Sequence, residues 1–247
     1  KGKNNAFNRD AVPDDYREEA TRRNMNPRML VEFVDGSKTM VEMACIANAT
    51  GLVPDVPGMH GPAADRDQMV KVLIPKADGG ILDRKGVVDF TVGKGVAPGV
   101  FVIVEAEHPR IIERMDDLHI GKGPYYAFFR PYHLTSLEVP LTAARIMLNG
   151  KPDMVPLPHA VAEVCAVAKR DLAVGEAFDA IGETCYRSFT LIAADAVAKN
   201  AVPVGLLEGG TVTAPVKKGE LLTLANAAPD ASTRLYALRK LQDAMTT

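Results

Sequence analysis

The stretch SKTMVEMACIANATG, residues 37–51, constrains the fold most. Between Met40 and Gly51 it carries a single charged residue, Glu42, among Met, Val, Ala, Cys and Ile. Ser37 reads as an N-cap and Gly51 as a C-terminal stop, so the pattern predicts one helix over 37–50. Beyond its first turn this helix has almost no polar face to give to solvent, and it is expected to be buried on most sides. A carboxylate in that setting is costly unless it is paired or ligates something. Two readings follow for Glu42: an ion pair with Lys38, one turn earlier on the same face, or a place in a functional site. Asp35 reads as a cap for the same helix.

Around that helix the chain alternates. Residues 12–25 read as a short polar helix entered through Pro13, and MLVEFVD, 29–35, as a short strand. From 52 to 100 the sequence is rich in Gly and Pro, as functional loops are, around one short helix at 66–73. Strands are expected at 87–92, 99–108 and 124–130, and helices at 109–118 and 135–149. After NGKPDMVPLP the texture turns Val-, Ala- and Gly-rich. There LAVGE (172–176) and VKKGE (216–220) echo each other, with Gly at the same place in both, as two similar hairpin turns would require. A last helix is expected at 232–244. The fold class is therefore α+β: a mixed α/β domain over 1–157, followed by a small, mostly β module over 158–247 that ends in a helix. A chain of 247 residues has length for two such domains.

Charge excludes some partners. With 29 basic against 31 acidic residues the chain is no polycation, and nucleic acid is not an expected partner. No apolar run approaches the roughly 18 residues that cross a bilayer, and KGKNNAFNRD lacks a signal-peptide core, so the reading is a soluble, cytoplasmic protein with no membrane partner. The chain opens without Met on two lysines flanking a glycine, as a fragment would. Cys45, Cys165 and Cys185 show no CxxC spacing, which fits neither a disulfide framework nor a cysteine-rich zinc site. GKGVAPG, 93–99, looks like a phosphate loop but has neither GxGxxG nor GxxxxGK[ST] spacing, and reads as a turn between strands.

Chemistry concentrates in GPYYAFFRPYHLTSLEVP, 123–140. In a chain with eight Phe, six Tyr and no Trp, this segment gathers Tyr125, Tyr126, Phe128, Phe129 and Tyr132. Most of that run is expected in a core sheet. TSLE predicts a capping box, with Thr135 as N-cap and Glu138 reaching back. Arg130, Tyr132 and His133 set a cation, a phenol and an imidazole at a strand-to-helix junction, where they can converge on an anionic substrate. His60, in the Gly/Pro-framed PGMHGP, is either an exposed loop residue or one that approaches a ligand.

Together KGKNNAFNRDA, FVDGSKTMVEMACIANATGLVPDVPGMHGP, GGILDRKGVVDF, GVFVIVEAEHP and GPYYAFFRPYHLTSLEVPLTAARIMLNG resemble the part that follows the cofactor domain in homoserine-dehydrogenase-like oxidoreductases ending in a SAF domain. That group includes the deoxyxylulose phosphate reductoisomerase-like enzymes. AEVCAVAKRDLAVGEAFD and PVGLLEGGTVTAPVKKGELLT resemble the SAF (β-clip) module itself. The resemblance implies an N-terminal Rossmann domain that holds NADP(H) and is missing from this chain, so that these residues alone are expected to be inactive. It also implies that Lys1 or Lys3 matches the lysine that related dehydrogenases place beside the nicotinamide. One departure stands out. Homoserine dehydrogenases carry an acid and then a lysine four positions apart at the start of the matching helix, whereas Lys38 and Glu42 come in the reverse order. This turns the expectation toward the reductoisomerase-like subgroup, which converts deoxyxylulose phosphate to methylerythritol phosphate in isoprenoid precursor synthesis. Lys1, Lys3, Lys38 and Glu42 are then the expected catalytic residues, with Arg130, Tyr132, His133 and His60 binding a small anionic substrate. Glu42 would accept a proton or bind a divalent metal, Mg or Mn. A homodimer is expected. The alternatives are a sugar-acid or homoserine-type dehydrogenase, and a SAF module that binds a sugar acid without catalysis.

Overall fold

A computed structural model describes residues 1–3, 7–152 and 154–245, apart from the side chain of Thr135. The first half of the chain runs β1 (Gly2–Lys3), a 3-10 turn (Pro13–Tyr16), α1 (Arg17–Arg23), α2 (Pro27–Val34), α3 (Ser37–Thr50), β2 (Val53–Pro54), α4 (Met69–Val72), β3 (Val87–Val88), β4 (Thr91–Val92) and β5 (Val100–Glu105). It continues with α5 (Pro109–Asp117), β6 (Tyr125–Arg130), α6 (Thr135–Asn149), β7 (Ala162–Ala168), β8 (Tyr186–Ile192), α7 (Ala193–Ala198), β9 (Thr211–Val212), β10 (Ala227–Ala228) and α8 (Arg234–Met245). The class is mixed α+β, and among the described residues no helix is long and apolar enough to cross a membrane.

These elements form two compact units. One is Lys1–Ala6 with Met59–Val155, the other Phe7–Gly58 with Pro156–Thr247. Packing thus groups 7–58 with the C-terminal stretch, whereas the division at 157/158 is an expectation about family modules.

In the first unit β1 pairs in parallel with β4, Gly2 opposite Thr91 and Lys3 opposite Val92. On the far side of β4, Ala63 bridges to Val92 in parallel, so residues 62–64 extend the ribbon. β5 and β6 form an antiparallel pair running from Val100 opposite Arg130 to Glu105 opposite Tyr125. One face of this pair, with Phe101, Ile103, Ala127 and Phe129, packs on Met69, Leu73 and Leu82. Tyr125 and Tyr126 are buried, and their hydroxyls donate to Asp78 (2.6 Å) and Asp116 (3.1 Å), so the aromatic run does build core and its polar tips are satisfied.

The second unit is built on the β7–β8 pair, Ala162 opposite Ile192 through Ala168 opposite Tyr186, with α3 lying against both strands. Its core gathers Ala166, Leu172, Phe178, Tyr186, Val202, Val212, Val216 and Leu222. The echo found in the sequence is one turn used twice. Gly175 and Gly219 both have positive φ (84° and 83°), a region open to glycine without a Cβ penalty. In each turn the following glutamate accepts from the backbone N–H three residues back, Glu176 from Ala173 (3.1 Å) and Glu220 from Lys217 (2.8 Å).

Two local expectations need correction. MLVEFVD is not a strand: Asn26 caps a helix by accepting from the Arg28 N–H (2.9 Å), and Pro27 opens it, so these start signals outweigh the β-branched residues. The α3 cap is Gly36, at φ 94°, and not Ser37. Ser37 instead turns its hydroxyl to β8, where it accepts from the Ser188 N–H (3.0 Å), while Asp35 Oδ1 takes the Ser37 N–H (2.8 Å). α3 has a broad buried face of Ser37, Thr39, Met40, Met43, Ala44 and Ala47, flanked by half-buried positions, and Val41 and Cys45 mark the narrow stripe that is exposed.

Candidate functional site

The most tightly built polar arrangement of the first unit centres on Asp89, between β3 and β4. Its side chain is only 5% exposed, and four donors converge on its two oxygens. The Phe90 and Gly61 N–H groups donate to Oδ1 (2.7 and 3.0 Å), the His60 N–H donates to Oδ2 (3.1 Å), and His60 Nδ1 lies 2.9 Å from Oδ2. The loop that brings two successive N–H groups to one carboxylate is forced. Met59, a non-glycine residue, holds φ at 64°, and Gly61, at φ 54°, sits where a Cβ would come within 2.1 Å of the Phe90 ring. Three backbone donors leave this carboxylate with acceptor positions to offer, so the contact with Nδ1 is one in which the imidazole donates. The His60 side chain keeps 18% of its surface open.

The lysines expected beside a nicotinamide are fastened to the same segment. The Thr91 N–H donates to the Lys1 carbonyl (2.9 Å), and the Gly93 N–H to the Lys3 carbonyl (3.0 Å). Lys3 ends β1 and is buried, and Lys1 directly precedes that strand. Gly2 between them is obligatory, because a Cβ there would lie 1.6 Å from the Val96 carbonyl oxygen. Downstream, Arg66, Lys71, Lys94 and Lys122 line an open groove of about 890 Å³ together with Asp65, Asp67 and the aromatic side chains of β6. Cations outnumber acids along this groove.

The corner after β6 is engaged with itself. Arg130 pairs with Glu138 and lies over the Tyr132 ring, 4.8 Å from its centroid. The α6 N-cap is Leu134, and Glu138 Oε2 accepts its N–H (2.6 Å); the expected capping role of Thr135 lies outside the described residues. The backbone N–H of Leu134 and the Arg130 guanidinium hold the Glu138 carboxyl below its ordinary range, with a smaller pull from His133. Glu138 is thus a helix-start residue, as the box implied, with its anchor one position earlier.

Lys38 and Glu42 lie in the second unit, on α3. Their charged groups are 3.6 Å apart, and Lys38 Nζ also sits 4.2 Å over the Phe33 ring. Burial lowers the Lys38 ammonium pKa, partly offset by Glu32, whose own carboxyl is pushed up by burial. The pairing read from sequence is therefore present. No group of three or more His, Cys, Asp or Glu residues is placed to hold a metal among the described residues.

Two residues were missed in the sequence. Asp89 stands alone between Val88 and Phe90, the same signal of an isolated acid in an apolar run that drew attention to Glu42. Lys169 directly follows the apolar β7 and is buried against Asp35 at 2.8 Å. Against known proteins, the model of the family described as oxidoreductase DRL, catalytic domain, matches residues 1–139. A comparison with curated proteins finds no match.

Proposed function

We propose a function from the premise that this chain belongs to the oxidoreductase DRL family, through that family's catalytic domain. The reading is nicotinamide-dependent reduction of a carbonyl in a small anionic substrate. In its finer form it is NADP(H)-dependent conversion of deoxyxylulose phosphate to methylerythritol phosphate, in isoprenoid precursor synthesis. The observation that carries the reading is the double attachment to residues 89–93, with the lysine strand β1 on one side and the His60 loop on the other.

The first unit fits the reacting end of such a cofactor. When bound, the nicotinamide supplies the hydride. Lys3, aided by Lys1, places an ammonium where negative charge develops on the substrate oxygen, which is the largest electrostatic contribution a site of this kind can make. The basic groove of Arg66, Lys71, Lys94 and Lys122 suits a phosphate or carboxylate on the substrate. For the dinucleotide's phosphates GKGVAPG offers less: Gly93 packs on the Ala64 carbonyl and Gly99 on Phe129, and its Lys94 and Gly95 belong to the groove just assigned to the substrate. The reading therefore assigns that grip to a nucleotide-binding domain outside these residues, and 158–247 to a SAF module.

The test uses the complete gene product. NADPH oxidation is followed with a panel of phosphorylated ketoses and aldonates, and Lys3→Met is compared with the parent. Turnover on a phosphorylated ketose, with kcat in Lys3→Met down about 10²–10³-fold and nucleotide binding retained, is the expected result. Turnover on aldonates alone would shift the reading to a sugar-acid dehydrogenase, and full activity in Lys3→Met would remove the lysine from the chemistry.

A further inference from the structure

We infer that α6 is an interface helix covered by a second copy of this chain, the two α6 helices packing antiparallel across a two-fold axis. The inference goes beyond the oxidoreductase reading and does not depend on it. Every described side chain of α6 except that of Glu138 is exposed. At about 100° per residue, Glu138, Thr142, Arg145 and Asn149 fall together on one side, and an arc of roughly 220° is apolar but for Ser136. A surface helix ordinarily turns such residues toward its own core, yet here they face solvent. Leu137 is 75% exposed, Leu141 52%, Met147 84% and Leu148 83%. With Val139 and Ile146 they leave on the order of 700 Å² open, close to the ~800 Å² that each partner gives to an interface of standard size.

The spacing points to the occupant. Leu137, Leu141, Ala144 and Leu148 follow one another at four, three and four residues, the step of a helix–helix seam. That order reads the same in both directions. A two-fold axis passing between Thr142 and Ala143 sets Leu137 of each copy against Leu148 of the other, and Leu141 against Ala144. Large thus meets small beside the axis and leucine meets leucine at the ends, which is the self-complementarity an isologous contact requires. Ala143 and Ala144 leave room there for the two helices to approach closely. The helix carries one acid, Glu138, and one base, Arg145, so pairing two copies brings no excess of like charge together. A lipid surface is the poorer fit, because the polar side offers Arg145 and no lysine.

The test again uses the complete gene product. Sedimentation equilibrium in the micromolar range should return twice the mass of one chain. Leu141→Glu combined with Leu148→Glu sets four carboxylates into the seam, and should raise the dimer dissociation constant about 10²-fold or more. Cross-linking reads the register, with the exposed Cys45 first changed to Ser. Leu137→Cys combined with Leu148→Cys should give a disulfide-linked dimer under copper phenanthroline. Leu137→Cys alone should not, since its two copies would lie about 16 Å apart along the helices, against the roughly 7 Å that a disulfide spans. A monomeric parent, a dimer that persists with both glutamates, or cross-linking of Leu137→Cys alone overturns the inference. A monomeric parent whose Leu148→Cys resists a maleimide would put another segment of the complete product on α6, and overturns it equally. Each of these results leaves the oxidoreductase reading standing.

Discussion

Lys169 is the residue on which the second unit's polar interior depends. Its ammonium lies 2.8 Å from Asp35 Oδ2, a charge contact, and donates hydrogen bonds to the carbonyls of Ala11 (2.9 Å) and Glu183 (2.8 Å). The Lys169 side chain is 2% exposed and that of Asp35 is 0%. A charge so placed is stable only because the Asp35 carboxylate balances it and two backbone carbonyls accept its hydrogen bonds, and removing one partner strands the other in a medium that cannot solvate it. Lys169→Met should therefore cost about 3–5 kcal/mol, read as a lower urea midpoint, and Asp35→Asn on top of it should recover part of the loss. Neither this pair nor His60–Asp89 was legible as a pair in the sequence. Single residues could be flagged, because a lone charge in an apolar run is visible. Their partners lie far along the chain, and only the fold supplies that distance.

Elements were more legible than their ends. Helices α3, α5, α6 and α8 stand where periodicity and Gly or Pro signals placed them, since those signals are local. The failure at MLVEFVD is instructive: Asn26-Pro27 is a stronger helix-start signal than a few β-branched residues are a strand signal, because it satisfies orphan N–H groups directly. The start of α6 is the element most open to test. Leu137, Val139, Leu141, Met147 and Leu148 are all exposed, so packing contributes little there and the Glu138 cap carries much of the helix entry. Because the folded state lowers the Glu138 pKa from 4.5, its contribution is fully present above that value and is lost as pH falls through the lower, folded pKa. Glu138→Gln should speed amide exchange over residues 135–138 at neutral pH and abolish its acid dependence below pH 4.5, with the global melting temperature unchanged. Unaltered exchange in the variant would show that the helix start is held by something else.

At the scale of the whole molecule the second unit joins stretches that lie about a hundred residues apart in sequence. Asn48 is the clearest tie. Its side-chain oxygen accepts from the Val161 and Ala162 N–H groups (2.8 and 2.9 Å), its amide donates to the Ala162 carbonyl (3.0 Å), and its own carbonyl takes the Leu157 N–H (2.7 Å). Along β8 the Ser188 N–H donates to Ser37 Oγ and Thr190 Oγ1 donates to the Met40 carbonyl (both 3.0 Å), so α3 closes polar groups as well as apolar ones. The sequence could announce a change of texture after residue 157, because composition is local, but not that a helix a hundred residues earlier would cover the new module. A segment of 158–247 alone should then expose the β7–β8 face and leave these backbone groups without partners, a cost of about 1–3 kcal/mol for each buried one. It is expected to bind a hydrophobic dye and to melt without a sharp transition, whereas 7–58 supplied in trans should restore cooperative unfolding and suppress dye binding. If 158–247 melts sharply and gives dispersed amide resonances by itself, the module folds without α3, and the helix is a passenger on a surface already complete.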